Sequence, residues 1–207
     1  MQKTNYGRFL DEKLEELRRT GEKPSLLLHA CCAPCSSYVL EYLNDFFSIT
    51  LYFYNPNIAP ESEYEYRKSE LKRLVSEMGL DIEIIDEDYC PEPFHALAKG
   101  LEDAPERGER CRKCIALRLE SAAKKAKELC SDYFTTTLTI SPHKDSTFIN
   151  ECGGEISKRC GISYLFSDFK KHDGYKRSIV LSSQYHLYRQ NYCGCVYSKA
   201  IKNIDKS

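Results

Sequence analysis

Ser25-Leu26-Leu27-Leu28-His29-Ala30-Cys31-Cys32-Ala33-Pro34-Cys35 is the stretch on which the reading of the chain turns. An apolar run of strand length, entered after Gly21 and Pro24, ends abruptly in three cysteines within five residues. It reads as a buried strand, Ser25 to His29, with a helix expected from Ser36 to Phe46. The alternation continues downstream. Ile49 to Tyr54 reads as a second strand, closed by Asn55-Pro56-Asn57, and Tyr64 to Met78 as a helix stopped by Gly79. A third strand is expected at Ile82 to Ile85. Asp86 to Arg110 is acidic and broken by Pro91, Pro93, Gly100, Pro105 and Gly108, predicting a long excursion with a short helix around Phe94 to Ala98. Lys113 to Leu129 is the clearest helix, since Ile115, Leu119, Ala122, Ala126 and Leu129 recur at spacings of four and three. Strands at Tyr133 to Ile140 and Ser163 to Phe166 flank a helix at about Asp145 to Arg159, loosened at Gly153-Gly154. A last helix is expected over Ile179 to Arg189. Five strands separated by helices predict an α/β fold: a parallel sheet with helices on both faces. Ligands of such sheets sit beyond the strand C-termini, which is where the cysteines fall.

Composition narrows the function. The chain has 207 residues, 42% hydrophobic and 29% charged, enough to bury a core and too apolar for disorder as its main state. No apolar run approaches the length needed to cross a bilayer, and Met1 to Arg19 offers no apolar leader, so a cytoplasmic protein without membrane contact is expected. A net charge of −1 excludes a uniformly basic coat. The charge is nevertheless uneven: residues 1–169 carry 22 basic and 29 acidic side chains, and residues 170–207 carry 8 and 2. A basic C-terminal segment faces an acidic body, as a solvated tail or as an anion-binding face.

Eleven cysteines in a chain with no secretory leader point to metal or redox chemistry before disulfide scaffolding. Cys31, Cys32 and Cys35 at a strand end have the density of a metal site, against the alternative of small buried hydrophobes. Cys111-Arg112-Lys113-Cys114 has C-x-x-C spacing at a helix start, where the dipole and Arg110, Arg112, Lys113 and Arg118 are expected to favour thiolate. A four-sulfur site from Cys31, Cys32, Cys111 and Cys114 follows. Zinc and iron–sulfur both accept four thiolates. Cys193-Gly194-Cys195 is spaced for a tight redox disulfide, or for two surface thiols or extra metal ligands. Cys90, Cys130, Cys152 and Cys160 have no partner at motif spacing, and His29 reads as a packed strand histidine.

Taken together, Leu28 to Cys35, Tyr54-Asn55-Pro56-Asn57-Ile58 with Glu63-Tyr64 and Arg67, Gly108 to Cys114 with Arg118-Leu119, Phe134 to Leu138 with Ser141-Pro142-His143-Lys144, and Tyr188 to Cys195 resemble the cobalamin-independent epoxyqueuosine reductases of the QueH family. The resemblance runs in order from about residue 26 to 198. It leaves residues 1–22 as an N-terminal helical extension and 23–207 as one α/β catalytic domain with a C-terminal redox segment. It implies a HUP-like, PP-loop-like Rossmann-type sandwich in which the cysteine loop stands where PP-loop enzymes carry their phosphate loop, so ATP use is not expected. The implied activity is reduction of epoxyqueuosine to queuosine at the wobble position of tRNA.

Carried over by position, the resemblance implies that Cys31, Cys32, Cys111 and Cys114 bind a 4Fe-4S cluster. It further implies that Cys35 ligates a second adjacent iron ion, and that Cys193 and Cys195 form a redox-active pair. Removing the epoxide oxygen takes two electrons, and the pair would supply or relay them from an electron donor of unidentified kind. Iron near Cys35 would act as a Lewis acid on the oxygen. The substrate gives the basic segment a use: Lys170, Lys171, Lys176, Arg177 and Arg189 would meet phosphates of the anticodon stem-loop. Tyr188, with Tyr175, Tyr185 and Tyr192, would stack an unpaired base, although at least two of the four are expected to pack in the fold. Two alternatives compete. One is a PP-loop-like iron–sulfur tRNA thiolation enzyme, the other a non-enzymatic, zinc-stabilised nucleic-acid-binding protein.

Overall fold

In the computed structural model, residues 4–198 are described, so the last basic side chains, Lys199, Lys202 and Lys206, lie outside the described residues. Strands β1 (Ser25–His29), β2 (Ser48–Phe53), β3 (Glu83–Asp86), β4 (Tyr133–Thr136) and β5 (Ser163–Tyr164) form one sheet. Its order is β3-β2-β1-β4-β5, with every pairing parallel. Leu26 to His29 are buried without alternation, as befits a central strand covered on both faces. Successive side chains still part to opposite sides. Leu26 and Leu28 join the core packed by α1 (Tyr6–Thr20), α2 (Ala33–Leu43) and α3 (Glu61–Glu77), whereas Leu27 joins that of α5 (Glu109–Glu128) and α6 (Ser146–Cys160). The helical segment expected before residue 23 is present. Asn5 caps α1, Gly21 ends it in a left-handed turn, and Leu10, Leu14 and Leu17 enter the same core as β1.

Three elements depart from expectation. The strand expected through Ile140 stops at Thr136, whose hydroxyl accepts a hydrogen bond from the Leu138 backbone N–H and starts a 3-10 turn over Thr137–Ile140. Helix α6 runs unbroken through Gly153-Gly154. A Cβ on Gly153 would lie 2.4 Å from the Tyr164 ring, so this glycine permits close packing against β5 and does not loosen the helix. The last helix, α7, spans Gly174–Gln184, earlier than its apolar residues indicated. Gly174 fits against the Phe169 carbonyl and the Tyr38 ring, while Arg73 of α3 donates to the Tyr185 and His186 carbonyls. The chain after α7 is thereby turned back toward the C-terminal ends of the strands. The long excursion carries one short helix, α4 (Glu92–Ala98).

Strand order reverses at β1, between β2 and β4. The crevice beyond the C-termini of β1 and β4 is the switch point of this sheet, and it holds the cysteine loop. No helix among the described residues is long and apolar enough to cross a membrane.

Candidate active site

The cysteine loop takes its shape from a strand running directly into a helix. Cys31 lies in the bend after β1, Cys32 is the extended N-cap of α2, and Pro34 and Cys35 lie in its first turn. Proline is tolerated there because first-turn N–H groups have no helical partner. Positions 32 and 35 share one face of the turn, and Cys31 folds back over them. The sulfurs of Cys31, Cys32 and Cys35 all lie within 4.8 Å of one another, with those of Cys31 and Cys32 3.7 Å apart. Thr137 fixes the bend: its hydroxyl accepts from the Cys31 N–H at 3.1 Å and donates to the Cys31 sulfur at 3.3 Å. Hydrogen bonds from Cys32, Cys35 and Thr137 hold the Cys31 thiol well below its ordinary range. The same sharing pushes Cys32 up to about 12 and Cys35 well above the usual thiol value. The three sulfurs share their hydrogen bonds at a helix N-terminus that favours negative charge.

Two buried arginines frame this loop. Arg118 of α5 is 3% exposed and donates to Asn55 Oδ1 and the Cys114 carbonyl, each at 3.3 Å. It forms no ion pair with a carboxylate among the described residues; burial opposes its charge, and the neighbouring cysteine sulfurs favour it. A buried cation needs an anionic neighbour. The donor set of clustered thiols beside this guanidinium fits an anionic, thiolate-bound metal group. Arg67 of α3, equally buried, pairs with Glu63 at 2.7 Å, donates to the Cys193 carbonyl at 3.4 Å and lies over the Tyr192 ring.

Arg67 thereby meets the C-terminal turn. Gly194 has φ +109°, and a Cβ there would sit 3.0 Å from both Arg67 Nη1 and Ile58 Cγ1. Its carbonyl accepts from the Ala59 N–H at 3.0 Å. Both the backbone conformation and the space call for glycine. Cys193 and Cys195 consequently face different ways. The Cys193 sulfur lies 3.2 Å from Lys144 Nζ, whereas Cys195 packs among Phe94, Ala98 and Cys114 and accepts from the Ser198 N–H. Burial opposes ionisation of Cys193, but the charges of Lys144 and Arg118 outweigh it and lower the thiol. Burial raises Cys195.

A cavity of about 210 Å³ joins these parts. Cys31, Cys32, Cys35 and Cys193 all line it, together with Arg67, Arg118, Lys144, Arg189 and Tyr192. Asn57, 2% exposed, lines it as well, and its Oδ1 has no hydrogen-bond partner.

The predicted residues sort unevenly into this site. Cys31, Cys32 and Cys35 are brought together, and Cys193 lines the same cavity. Cys111 and Cys114, in the first turns of α5, are not within that tight group; Cys114 lies toward Cys195. The thiolate-favouring role expected of four basic side chains falls to Arg118 alone. Arg110 donates to the Leu101 and Glu102 carbonyls, Arg112 covers the Phe148 ring and Lys113 pairs with Glu109. At Cys114 burial prevails over the helix dipole and pushes the thiol up to about 11. His29 is the packed histidine expected. Both its ring nitrogens are bonded, to Thr136 Oγ1 and the Tyr54 carbonyl, and burial depresses it to about 4.

Of the basic residues expected to meet tRNA phosphates, only Arg189 lines the cavity. Lys170 donates to the Thr139 carbonyl and pairs with Asp168, Lys176 pairs with Asp173, and Arg177 pairs with Glu41 through two nitrogens. Lys171 is exposed away from the cavity, its stem against Gly7. Tyr188 donates to Glu63 and packs on Tyr66, and Tyr185 packs against the core, leaving Tyr175 and Tyr192 at the cavity. Arg67, Lys144 and Asn57 had no assigned role in the sequence reading. For Arg67 a signal was present, since it falls on the buried stripe of α3 with Tyr64, Leu71 and Leu74, where an arginine is out of place unless it has a task.

Comparison with known proteins fits this geometry. A protein named epoxyqueuosine reductase QueH from Streptococcus pyogenes serotype M1 is 45% identical over 208 residues, covering 99% of this chain and 82% of that protein. The protein of the same name from Staphylococcus epidermidis is 43% identical over 210 residues, covering 99% and 88%. Among solved structures, the U34-tRNA thiolase NcsA from Methanococcus maripaludis with its [4Fe-4S] cluster superposes with a TM-score of 0.50 at 12% identity. It covers 96% of this chain and 74% of that one, a likeness of fold. The family model described as "Epoxyqueuosine reductase QueH" matches residues 26–201, and with these relatives it shows that the chain belongs to the QueH family of epoxyqueuosine reductases, a family of oxidoreductases.

Proposed function

We propose that this protein reduces epoxyqueuosine to queuosine at the wobble position of tRNA, with the cavity between the two cysteine groups as the reaction chamber. The observation that carries the reading is that Cys193 and the clustered Cys31, Cys32 and Cys35 line one cavity. The overall change is epoxide plus two electrons and two protons to alkene plus water. Cys193 and Cys195 as dithiols hold that complement, and they give it up by forming one S–S bond. Cys31, Cys32, Cys111 and Cys114 would hold a 4Fe-4S cluster, with Cys35 available to a second iron ion. When bound, these groups supply single electrons and Lewis acidity.

The rest of the chamber binds and orients. Tyr192, backed by the Arg67 guanidinium, offers a ring face to a flipped-out base, and Asn57 Oδ1 offers an unused acceptor to a substrate N–H or O–H. Arg189 at the rim, beside the Tyr175 ring, would meet a phosphate. An external electron donor would return the Cys193–Cys195 disulfide to dithiol between turnovers. Anaerobically reconstituted protein, reductant and tRNA bearing epoxyqueuosine should yield queuosine on nucleoside analysis. No queuosine under those conditions would overturn the proposal. A colourless, zinc-loaded protein from anaerobic purification would favour the zinc-stabilised alternative over a brown iron–sulfur protein.

A further inference from the structure

We propose that Lys144 is the positioning residue that gives the Cys193/Cys195 pair its direction: its ammonium holds Cys193 as the cavity-facing sulfur of the reduced pair and leaves Cys195 as the inner partner. This rests on the reading of the pair as the two-electron store.

The two sulfurs occupy unlike surroundings. Cys193 lines the cavity with its sulfur 3.2 Å from Lys144 Nζ. Cys195 is 5% exposed among Phe94, Ala98 and Cys114, with the Ser198 N–H as its polar neighbour. Cys193 Sγ is the only hydrogen-bond partner of the Lys144 side chain among the described residues, and no carboxylate pairs with it there. A largely buried ammonium without a carboxylate is stabilised by an anionic neighbour, and the sulfur is the one within reach. The lysine is also rigidly mounted. Its backbone N–H donates to the Ser141 carbonyl, and the next residue, Asp145, caps α6 by accepting from the Thr147 and Phe148 N–H groups. A side chain anchored at the start of a 15-residue helix keeps its aim.

The consequence is redox asymmetry. With oxidised glutathione as oxidant, the Cys193 thiolate and the Cys195 thiol form one S–S bond and the glutathione S–S bond breaks, one glutathione sulfur taking the Cys195 proton and the other leaving as thiolate to be protonated by solvent. Negative charge on Cys193 disappears in this step, so Lys144 loses its partner. The ammonium therefore favours the reduced pair and raises its potential.

The full chain carries a convenient readout, because trypsin cleavage after Arg189 and Lys199 releases residues 190–199, in which Cys193 and Cys195 are the only cysteines. Anaerobically purified protein is equilibrated in glutathione buffers, quenched in acid, alkylated and digested, and the oxidised fraction of this peptide is measured. Brief iodoacetamide treatment of the reduced protein gives the order of labelling. Lys144→Met should raise the disulfide-to-dithiol ratio about tenfold at a fixed glutathione ratio, equivalent to about 30 mV for a two-electron couple. It should also slow the labelling of Cys193 and narrow its preference over Cys195 to what exposure alone gives. Lys144→Arg should keep both properties, and Lys144→Gln repeats the neutral case if Met disturbs the cavity. Unchanged equilibrium and an unchanged ratio of Cys193 to Cys195 labelling rates in both neutral variants would overturn the assignment. A wild-type peptide that forms no internal disulfide at any glutathione ratio would overturn the redox-pair reading instead, and the labelling order would still decide the role of Lys144.

Discussion

The cysteine loop after β1 and the C-terminal cysteine turn are held by different means. Cys31, Cys32 and Cys35 are positioned by topology: the central strand ends, α2 begins, and the backbone has little choice about where three sulfurs go. Cys193 and Cys195 sit on no regular element and are held by side chains reaching from elsewhere, Arg67 from α3 and Lys144 from the loop before α6. On the proposed function, ligands of a permanent group would gain from the first kind of support, and a pair that changes its bonding in each cycle would gain from the second, because a few contacts can be broken and remade without unfolding the sheet.

The largest effect expected from breaking this contrast is on metal content. Cys32→Ala should reduce bound iron to background with the fold retained by circular dichroism, whereas Cys195→Ser should keep the iron and lose only the internal disulfide. Equal iron loss in both would erase the distinction. Arg67→Met removes one partner of a buried ion pair and the guanidinium under the turn, and should cost about 3 kcal/mol in denaturant unfolding. Gly194→Ala forces φ +109° on a residue with a Cβ and crowds Arg67 and Ile58, at about 1–3 kcal/mol confined to the turn. Native trypsin cleavage after Arg189 should accelerate about tenfold while metal content stays unchanged.

The smallest effect belongs to the scaffold. Asp132 accepts from the Ser25 N–H and hydroxyl at 2.8 and 2.7 Å, joining the starts of β1 and β4, and these bonds lower its carboxyl. A lowered carboxyl stabilises above the ordinary aspartate range and loses that contribution as pH falls through its folded value. Asp132→Ala should cost about 1 kcal/mol at neutral pH, the exposed setting keeping it small, and the difference from wild type should close in acid. Labelling of Cys193 should not respond.

Legibility in the sequence follows the same division. The sheet and most helices were readable because β1, β2 and α5 carry periodic apolar residues that local chemistry obliges to pair or pack. The cysteine loop was readable because it is contiguous. The start of α7 was not, since it depends on Gly174 meeting Tyr38 and Phe169 across the fold. Nor were the ion pairs of Lys176 and Arg177, because whether a basic residue is free depends on carboxylates such as Glu41, far away in the chain. Lys144 escaped for the same reason: its partner is 49 residues away.

The sheet's two margins carry a consequence for how other macromolecules approach. β5 is two residues long and β3 is four, with acidic residues at both its ends. Neither offers the long, flat, uncharged border on which another chain's strand could zip itself, and both thus protect against edge-to-edge aggregation. A visiting macromolecule is left to dock through side chains and can leave without peeling a strand from the sheet.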